Sequence, residues 1–197
     1  MTPQADPILE LFRSTGAYLQ GHFRLTSGLH SAEYVQCALV LQHPAAAEEL
    51  GRLLAGQLLT LAGGKIEVVA SPALGGVIIG HEVARALGVR FLFAERDAAT
   101  GKMVFRRGFQ VAPGETAVVV EDVITTGGST QDVIAALEAA GAKVAAAGCI
   151  IDRSGGHAAI GVRRAALATL QMSAHYPEQC PLCAKGFPLV KPGSRPT

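Results

Sequence analysis

Two adjacent acids, Glu121 and Asp122, close the apolar run "AVVV", and the chain then continues through Val123 and Ile124 into Thr125, Thr126, Gly127, Gly128, Ser129 and Thr130. Carboxylates at the end of an apolar segment are costly to desolvate unless hydroxyl groups or a cation receive them. Serine and threonine supply hydroxyl donors, and glycines let the backbone approach a ligand so that successive N–H groups converge on an anion. If the loop runs into a helix, the helix N-terminus adds partial positive charge. The series of strand, acid pair, Thr/Gly loop and helix therefore suits a phosphate monoester, with sugar hydroxyls or magnesium at the acids; the combined ligand is a ribose 5-phosphate. The loop lacks the Gly-Lys-Ser/Thr of a Walker loop and the glycine spacing of a dinucleotide fold. An ordinary capped helix after a strand would account for Thr126 and the glycines, but not for the acid pair.

Positioning these groups requires a rigid frame, and the pattern of the chain supplies one. "IEVVA" (66–70), "VRFLFAE" (89–95), "AVVVE" (117–121) and "KVAAAGCII" (143–151) read as strands, with helices over 75–88 and 129–141 between them. Strands apolar throughout are expected where helices cover both sheet faces, and the alternation predicts an α/β fold: a Rossmann-like, doubly wound, mostly parallel sheet. Ahead of it, Asp6-Pro7 starts a helix that stops near Gly16, "GHFRLTSGLHSAEYVQ" (21–36) reads as a hairpin or small hood, and Pro44 opens a helix closed by Gly63-Gly64. The expected organisation is one domain: residues 1–43 as helix and hood, 44–175 as core, and 176–197 as a Cys/Pro-rich tail ending in a loose "KPGSRPT".

Composition narrows the function. Of 197 residues, 49% are apolar and 17% charged, with a net charge of +1, which favours a small-molecule enzyme over a non-specific nucleic-acid binder. No apolar run is long enough to span a membrane, and "MTPQADPILE" lacks the features of a secretory signal. Cys37, Cys149, Cys180 and Cys183 do not form a secreted disulfide framework, so a cytoplasmic location is expected.

The stretch "VVVEDVITTGGST" resembles the phosphoribosyl diphosphate (PRPP) motif of the type I phosphoribosyltransferases. Within them, "GHFRLTSGLHS", "SPALGG", "AERDAATGK", "IIDRSGG" and "CPLCAKGFPLVKPGSR" are similar to the orotate phosphoribosyltransferase family over nearly the whole chain. The resemblance implies transfer of a phosphoribosyl group from PRPP to orotate, with Mg2+, in a homodimer with shared sites. A transferase for another base such as a purine, or a PRPP-sensing regulator that binds nucleic acid, would share the motif. Carried over residue by residue, PRPP binding falls on Ala73, Leu74 and Gly75, on Arg96 and Lys102, and on Glu121, Asp122, Val123, Ile124, Thr125, Thr126, Gly127, Gly128 and Ser129. Catalytic roles fall on Glu121, Asp122, Arg96 and Lys102, with residues 96–102 as a mobile loop. Orotate falls to Thr125 and Arg153; an ion pair with Asp152 is the plainer reading of Arg153. Arg106 and Arg107 read as hairpin surface. The chain departs from the family pattern at Thr26, where a lysine is frequent, at Leu74-Gly75 in place of Tyr-Lys, and at Arg96-Asp97 in place of Arg-Lys.

Cys180-Pro-Leu-Cys183 is a lone CxxC, and zinc would need two further ligands, for which His175 and His157 are candidates alongside a second subunit. His22, His30, His43 and His81 are not spaced as a metal cluster along the sequence. Packed or surface thiols are the expected state of the pair.

Overall fold

The computed structural model describes residues 6–25 and 27–192; Thr26 and residues 193–197 of the tail lie outside the described residues. Asp6 caps α1 (Pro7–Ser14), its carboxylate accepting from the Ile8 N–H at 2.9 Å, with Pro7 in the first turn. There follow β1 (Tyr18–Arg24), β2 (His30–Val35), α2 (Cys37–Leu41) and α3 (Pro44–Ala62), which ends on Gly63 at φ +64°. Next come β3 (Val68–Pro72), α4 (Gly76–Leu87), β4 (Arg90–Arg96), β5 (Met103–Phe105), β6 (Thr116–Ile124), α5 (Gly128–Ala139), β7 (Lys143–Asp152) and β8 (Arg164–Thr169). The tail adds β9 (Ala174–His175), a 3-10 turn (Pro177–Gln179) and the four-residue α6 (Pro181–Ala184).

The chain divides into two compact units, residues 1–40 with 171–197 and residues 41–170. In the first, β1 and β2 form an antiparallel hairpin with an irregularity between Gln20 and Phe23, and β9 joins the free edge of β2, placing His175 opposite His30. On the other side of β1, the Arg24 N–H donates to the Val190 carbonyl and the Val190 N–H donates to the His22 carbonyl, both at 2.8 Å.

The second unit is a six-stranded sheet in the order β5-β4-β3-β6-β7-β8, parallel except for β5. Every residue of β3 is buried. On one face, Val133, Ile134 and Leu137 of α5 pack with Val68, Ala70, Ala117, Val119 and Ala147. Side chains alternate along a strand, so Gly148 turns to the opposite face, where it meets Leu54 and Leu58 of α3. Helices on both faces make the doubly wound α/β architecture expected from the apolar strands. β5 and β8 were not singled out by pattern. β5 lies in what reads as a polar loop, and β8, "RAALAT", is alanine-rich and follows a glycine-rich stretch, so its propensity is weak.

Two glycines of α3 separate packing from propensity. A β-carbon at Gly51 would lie 2.6 Å from Glu82 Cβ and 2.8 Å from the Glu82 carbonyl carbon in α4, whereas one at Gly56 meets nothing within 4 Å. Gly56→Ala should raise stability by up to about 1 kcal/mol through helix propensity alone. Gly51→Ala should lower it by about 1–3 kcal/mol by forcing the two helices apart, despite the same propensity gain. Thermal denaturation of the two variants side by side checks both signs.

Candidate active site

The strand order places the site. The chain leaves β3 toward β4 on one side, and β6 lies on the other, so β3 and β6 flank the point where the connections diverge. Ligand crevices of open α/β sheets form there, at the carboxyl ends of the strands. Because β3, β4, β6 and β7 run parallel, the loops that follow them emerge at the same edge.

After β6, Thr125 and Thr126 are exposed, and Gly127 turns the chain into α5 at φ +83°. A β-carbon on Gly127 would also sit 2.5 Å from Ile160 Cγ2, so the turn excludes a side chain both by conformation and by space. No side chain caps α5. The first N–H groups of a helix have no partner within it, and those at residues 128–130 are set for an anion at this turn.

The acids sit just upstream. Thr130 Oγ1 donates a hydrogen bond to Glu121 Oε2, tying the helix to the strand. Burial pushes the Glu121 carboxyl up to about 7; the Thr130 hydrogen bond opposes this and the charge of Asp122 adds to it. Asp122 is likewise raised by burial, against the N–H of Val123, which donates to Oδ1 at 2.9 Å. Its carboxylate faces the β3 loop: a β-carbon at Gly75 would lie 2.8 Å from each of its oxygens. In that loop a cis peptide joins Ala73 to Leu74, the Ala73 N–H donates to the Ala94 carbonyl at 2.8 Å, and Leu74 is 80% exposed. Glycine at 75, where the family pattern has lysine, leaves the Asp122 carboxylate in the space a side chain would fill.

Residues 96–102 form a compact turn between β4 and β5. The Asp97 N–H donates to the Lys102 carbonyl and the Gly101 N–H to the Asp97 carbonyl, both at 2.8 Å. Asp97 Oδ1 accepts from the N–H groups of Ala99 at 3.1 Å and Thr100 at 2.8 Å, and from the Thr100 hydroxyl at 2.9 Å. Its other carboxylate oxygen receives Arg106. Asp97, which departs from the family's lysine, thus organises the turn. Arg96 donates to the Gly101 carbonyl and, at 2.9 Å, to Asp132 of α5. Lys102 is exposed, and no acid pairs with it among the described residues. Arg107 grips Glu95 through two hydrogen bonds of 3.0 and 2.8 Å.

Arg153 follows β7, and its N–H donates to the Ile124 carbonyl at 2.8 Å. Since Ile124 is in register with Asp152, Thr125 and Arg153 are neighbours at adjacent strand ends. Asp152 is buried; Arg164 approaches it at 3.1 Å, and Ser154 donates to it through its N–H at 2.7 Å and its hydroxyl at 2.6 Å. The β3 loop, the acid pair, the Thr/Gly turn and Arg153 therefore share one edge, with Arg96 tied to α5. Sequence reading missed Asp132, because nothing in the spacing distinguishes an acid early in a helix from a solvated one.

The chain matches the phosphoribosyl transferase domain model over residues 38–162. It is 56% identical to the orotate phosphoribosyltransferase of Pelotomaculum thermopropionicum over 96% of this chain and 97% of that one. It is 52% identical to that of Heliobacterium modesticaldum over 96% and 98%. Among solved structures, the orotate phosphoribosyltransferase of Aeropyrum pernix superposes with a TM-score of 0.69 at 28% identity, over 83% of this chain and 94% of that one.

The raised carboxyl of Glu121 has a consequence for the ligand-free protein. Its value moves from 4.5 to about 7, so between these the folded state holds a proton that the unfolded state has lost, and stability falls as pH rises through that window. Glu121→Gln cannot ionise. It should match the native protein at pH near 4.5 and exceed it above pH 7, by on the order of 1–3 kcal/mol. Urea unfolding at the two pH values measures the difference; equal pH slopes in both proteins would contradict the burial of this charge.

Proposed function

The chain belongs to the orotate phosphoribosyltransferases of the phosphoribosyltransferase family, and from that premise we propose which of its residues carry the reaction. It transfers the 5-phosphoribosyl group from PRPP to orotate, giving orotidine 5'-phosphate and diphosphate in pyrimidine biosynthesis. The bond from the ribose anomeric carbon to diphosphate breaks with its electron pair leaving on oxygen, and a ring nitrogen of orotate takes its place. Positive charge develops on the ribose ring, so the enzyme acts through positioning and electrostatics.

Residues 125–129 hold the 5'-phosphate on the N–H groups and hydroxyls at the start of α5. Glu121 and Asp122 hold the ribose hydroxyls and favour the cationic ring, while Val123 and Ile124 carry the strand to the turn. Leu74 and Gly75 offer backbone N–H groups to the diphosphate, and Ala73, whose own N–H is held by the Ala94 carbonyl, fixes the start of that loop. The oxygen-only donors of Glu121 and Asp122 suit magnesium, which would be held mainly by PRPP and would neutralise diphosphate charge. Arg96 and Lys102 close over the diphosphate. For Arg96 this means leaving Asp132 and the Gly101 carbonyl, which hold it in the ligand-free chain. Thr125 and Arg153 read orotate, the guanidinium gripping its carboxylate with two parallel hydrogen bonds.

The observation that carries this reading is the Arg153–Ile124 backbone bond, which sets Arg153 next to Thr125 and the phosphate turn. Arg153→Ala should raise the orotate KM at least tenfold, about 1.4 kcal/mol, and leave the PRPP KM within a factor of about two. Uracil, a purine and orotate are offered in turn in a diphosphate-release assay. Equal use of uracil and orotate by the native enzyme would remove Arg153 from base recognition.

No helix among the described residues is long and apolar enough to cross a membrane, and no disulfide joins the four cysteines, in keeping with a cytoplasmic enzyme. We further place the chain in a homodimer in which each 96–102 loop serves the neighbouring site. Lys102, exposed and paired with no acid among the described residues, supports that reading. Lys102→Ala and Asp122→Ala should each lose at least tenfold in turnover. Mixed after dissociation and reassociation, they should regain about a quarter of native activity, because half of randomly formed dimers are hybrids with one intact site. No recovery, with hybrids verified, would confine each loop to its own subunit.

A further inference from the structure

The first unit brings together four side chains that the sequence keeps far apart. His22 and His30 lie on the hairpin strands β1 and β2, and Cys180 and Cys183 lie in the tail, 158 residues beyond His22 for the first of them. One nitrogen or sulfur from each falls within 4.8 Å of all the others. His22 Nε2 is 3.1 Å from His30 Nδ1, 3.5 Å from Cys180 Sγ and 3.6 Å from Cys183 Sγ; His30 Nδ1 is 3.2 Å from Cys183 Sγ. Spacing alone offers His175, His157 or a second subunit to the CxxC, with packed or surface thiols as the expected state, and keeps His22 and His30 out of a cluster; the structure instead brings His22 and His30 to the two cysteines. His175 pairs with His30 only through the strand register, and His157 belongs to the other unit.

Four of the six separations among these atoms are therefore 3.1–3.6 Å, close to the edges of a coordination tetrahedron. With zinc bonds of about 2.0–2.1 Å to nitrogen and about 2.3 Å to sulfur, tetrahedral edges are roughly 3.3 Å between nitrogens and roughly 3.6 Å between nitrogen and sulfur. A second contact prepares one ligand. His22 Nδ1 lies 2.9 Å from the Phe187 carbonyl, so it carries the proton and leaves the Nε2 lone pair facing the cluster. Hydrogen bonding among the four explains the convergence less well. With no proton on His22 Nε2, the only donors left would be one N–H of His30 and two weak S–H groups, all crowded around one point.

We propose that His22, His30, Cys180 and Cys183 bind one zinc ion in a closed, structural Cys2His2 site that fastens the C-terminal segment to the hairpin. Two thiolates and two imidazoles in a tetrahedron select zinc among the common divalent metals, and four protein ligands leave no open position for chemistry. Val190, paired to β1 beyond the site, continues the attachment. The site is independent of the roles assigned to the β6 loop.

The test uses the full chain, purified without chelator and analysed for metal by mass spectrometry. About one zinc per chain is expected, falling below about a tenth in Cys183→Ser and in His22→Asn, and unchanged in His175→Ala. Cobalt(II) added to metal-free protein should give an intense tetrahedral d–d spectrum with a thiolate-to-cobalt charge-transfer band. Chelation should lower the melting temperature, and zinc should restore it. Should either variant fail to fold, the cobalt spectrum of the native chain decides. A weak octahedral spectrum, or zinc content unaffected by the variants, overturns the proposal.

Discussion

Two carboxylates held out of water at the end of β6 are the constraint around which the second unit is arranged. Ionised and unpaired they would be strongly unfavourable, and the fold answers locally. Thr130 donates to Glu121, the Val123 N–H donates to Asp122, and the Glu121 carboxyl is poised near neutrality rather than fully charged. A buried acid with a raised value is poised to ionise when a cation or an electron-poor sugar ring comes near, because that neighbour offsets what burial takes away. The cost of burying these acids is thus the counterpart of the affinity proposed for them toward developing positive charge.

The same strand end supplies the opposite polarity a few residues later. Gly127 bends the chain at a φ no side chain tolerates well, and α5 then presents its first N–H groups beside the acids. Negative and positive ends are fixed by one continuous segment, and Thr130 bonds the two together. Placing them needs no long-range adjustment beyond the pairing of β6 with its neighbours. Arg153 arrives by that pairing: β7 is in register with β6, and its next residue is bonded to Ile124.

Much of this was legible in the residues. The four apolar strands, the helices between them and the Thr/Gly turn follow from pattern and local chemistry, which act over a few residues. What escaped was non-local. β8 owes its strand to pairing with β7, since its alanines have weak preference of their own. Asp132 matters through Arg96, on a different element. The His–Cys cluster is invisible to spacing because its halves meet only when the tail folds back on the hairpin. Asp97 looked like a lost cation and is the residue that closes its turn.

The departures at Gly75 and Asp97 share a physical sense. Each removes a lysine expected from the family pattern, and in each place an acid occupies the ground. The Asp122 carboxylate fills the space beside Gly75, and Asp97 accepts from three donors within its own turn as well as from Arg106. A lysine at 75 would have to displace the Asp122 carboxylate or pair with it, lowering its value and weakening its hold on a cationic ring. On the proposed roles, without those lysines the charge that meets diphosphate comes from groups able to move and from the backbone. Arg96 is held by the half-exposed Asp132, Lys102 pairs with no acid among the described residues, and the N–H groups of Leu74 and Gly75 lie in the β3 loop. Exposed ion pairs such as Arg96–Asp132 are worth at most about 1 kcal/mol, so exchanging that partner for a diphosphate oxygen is a small step. The pair thereby holds Arg96 in a defined place without binding it tightly.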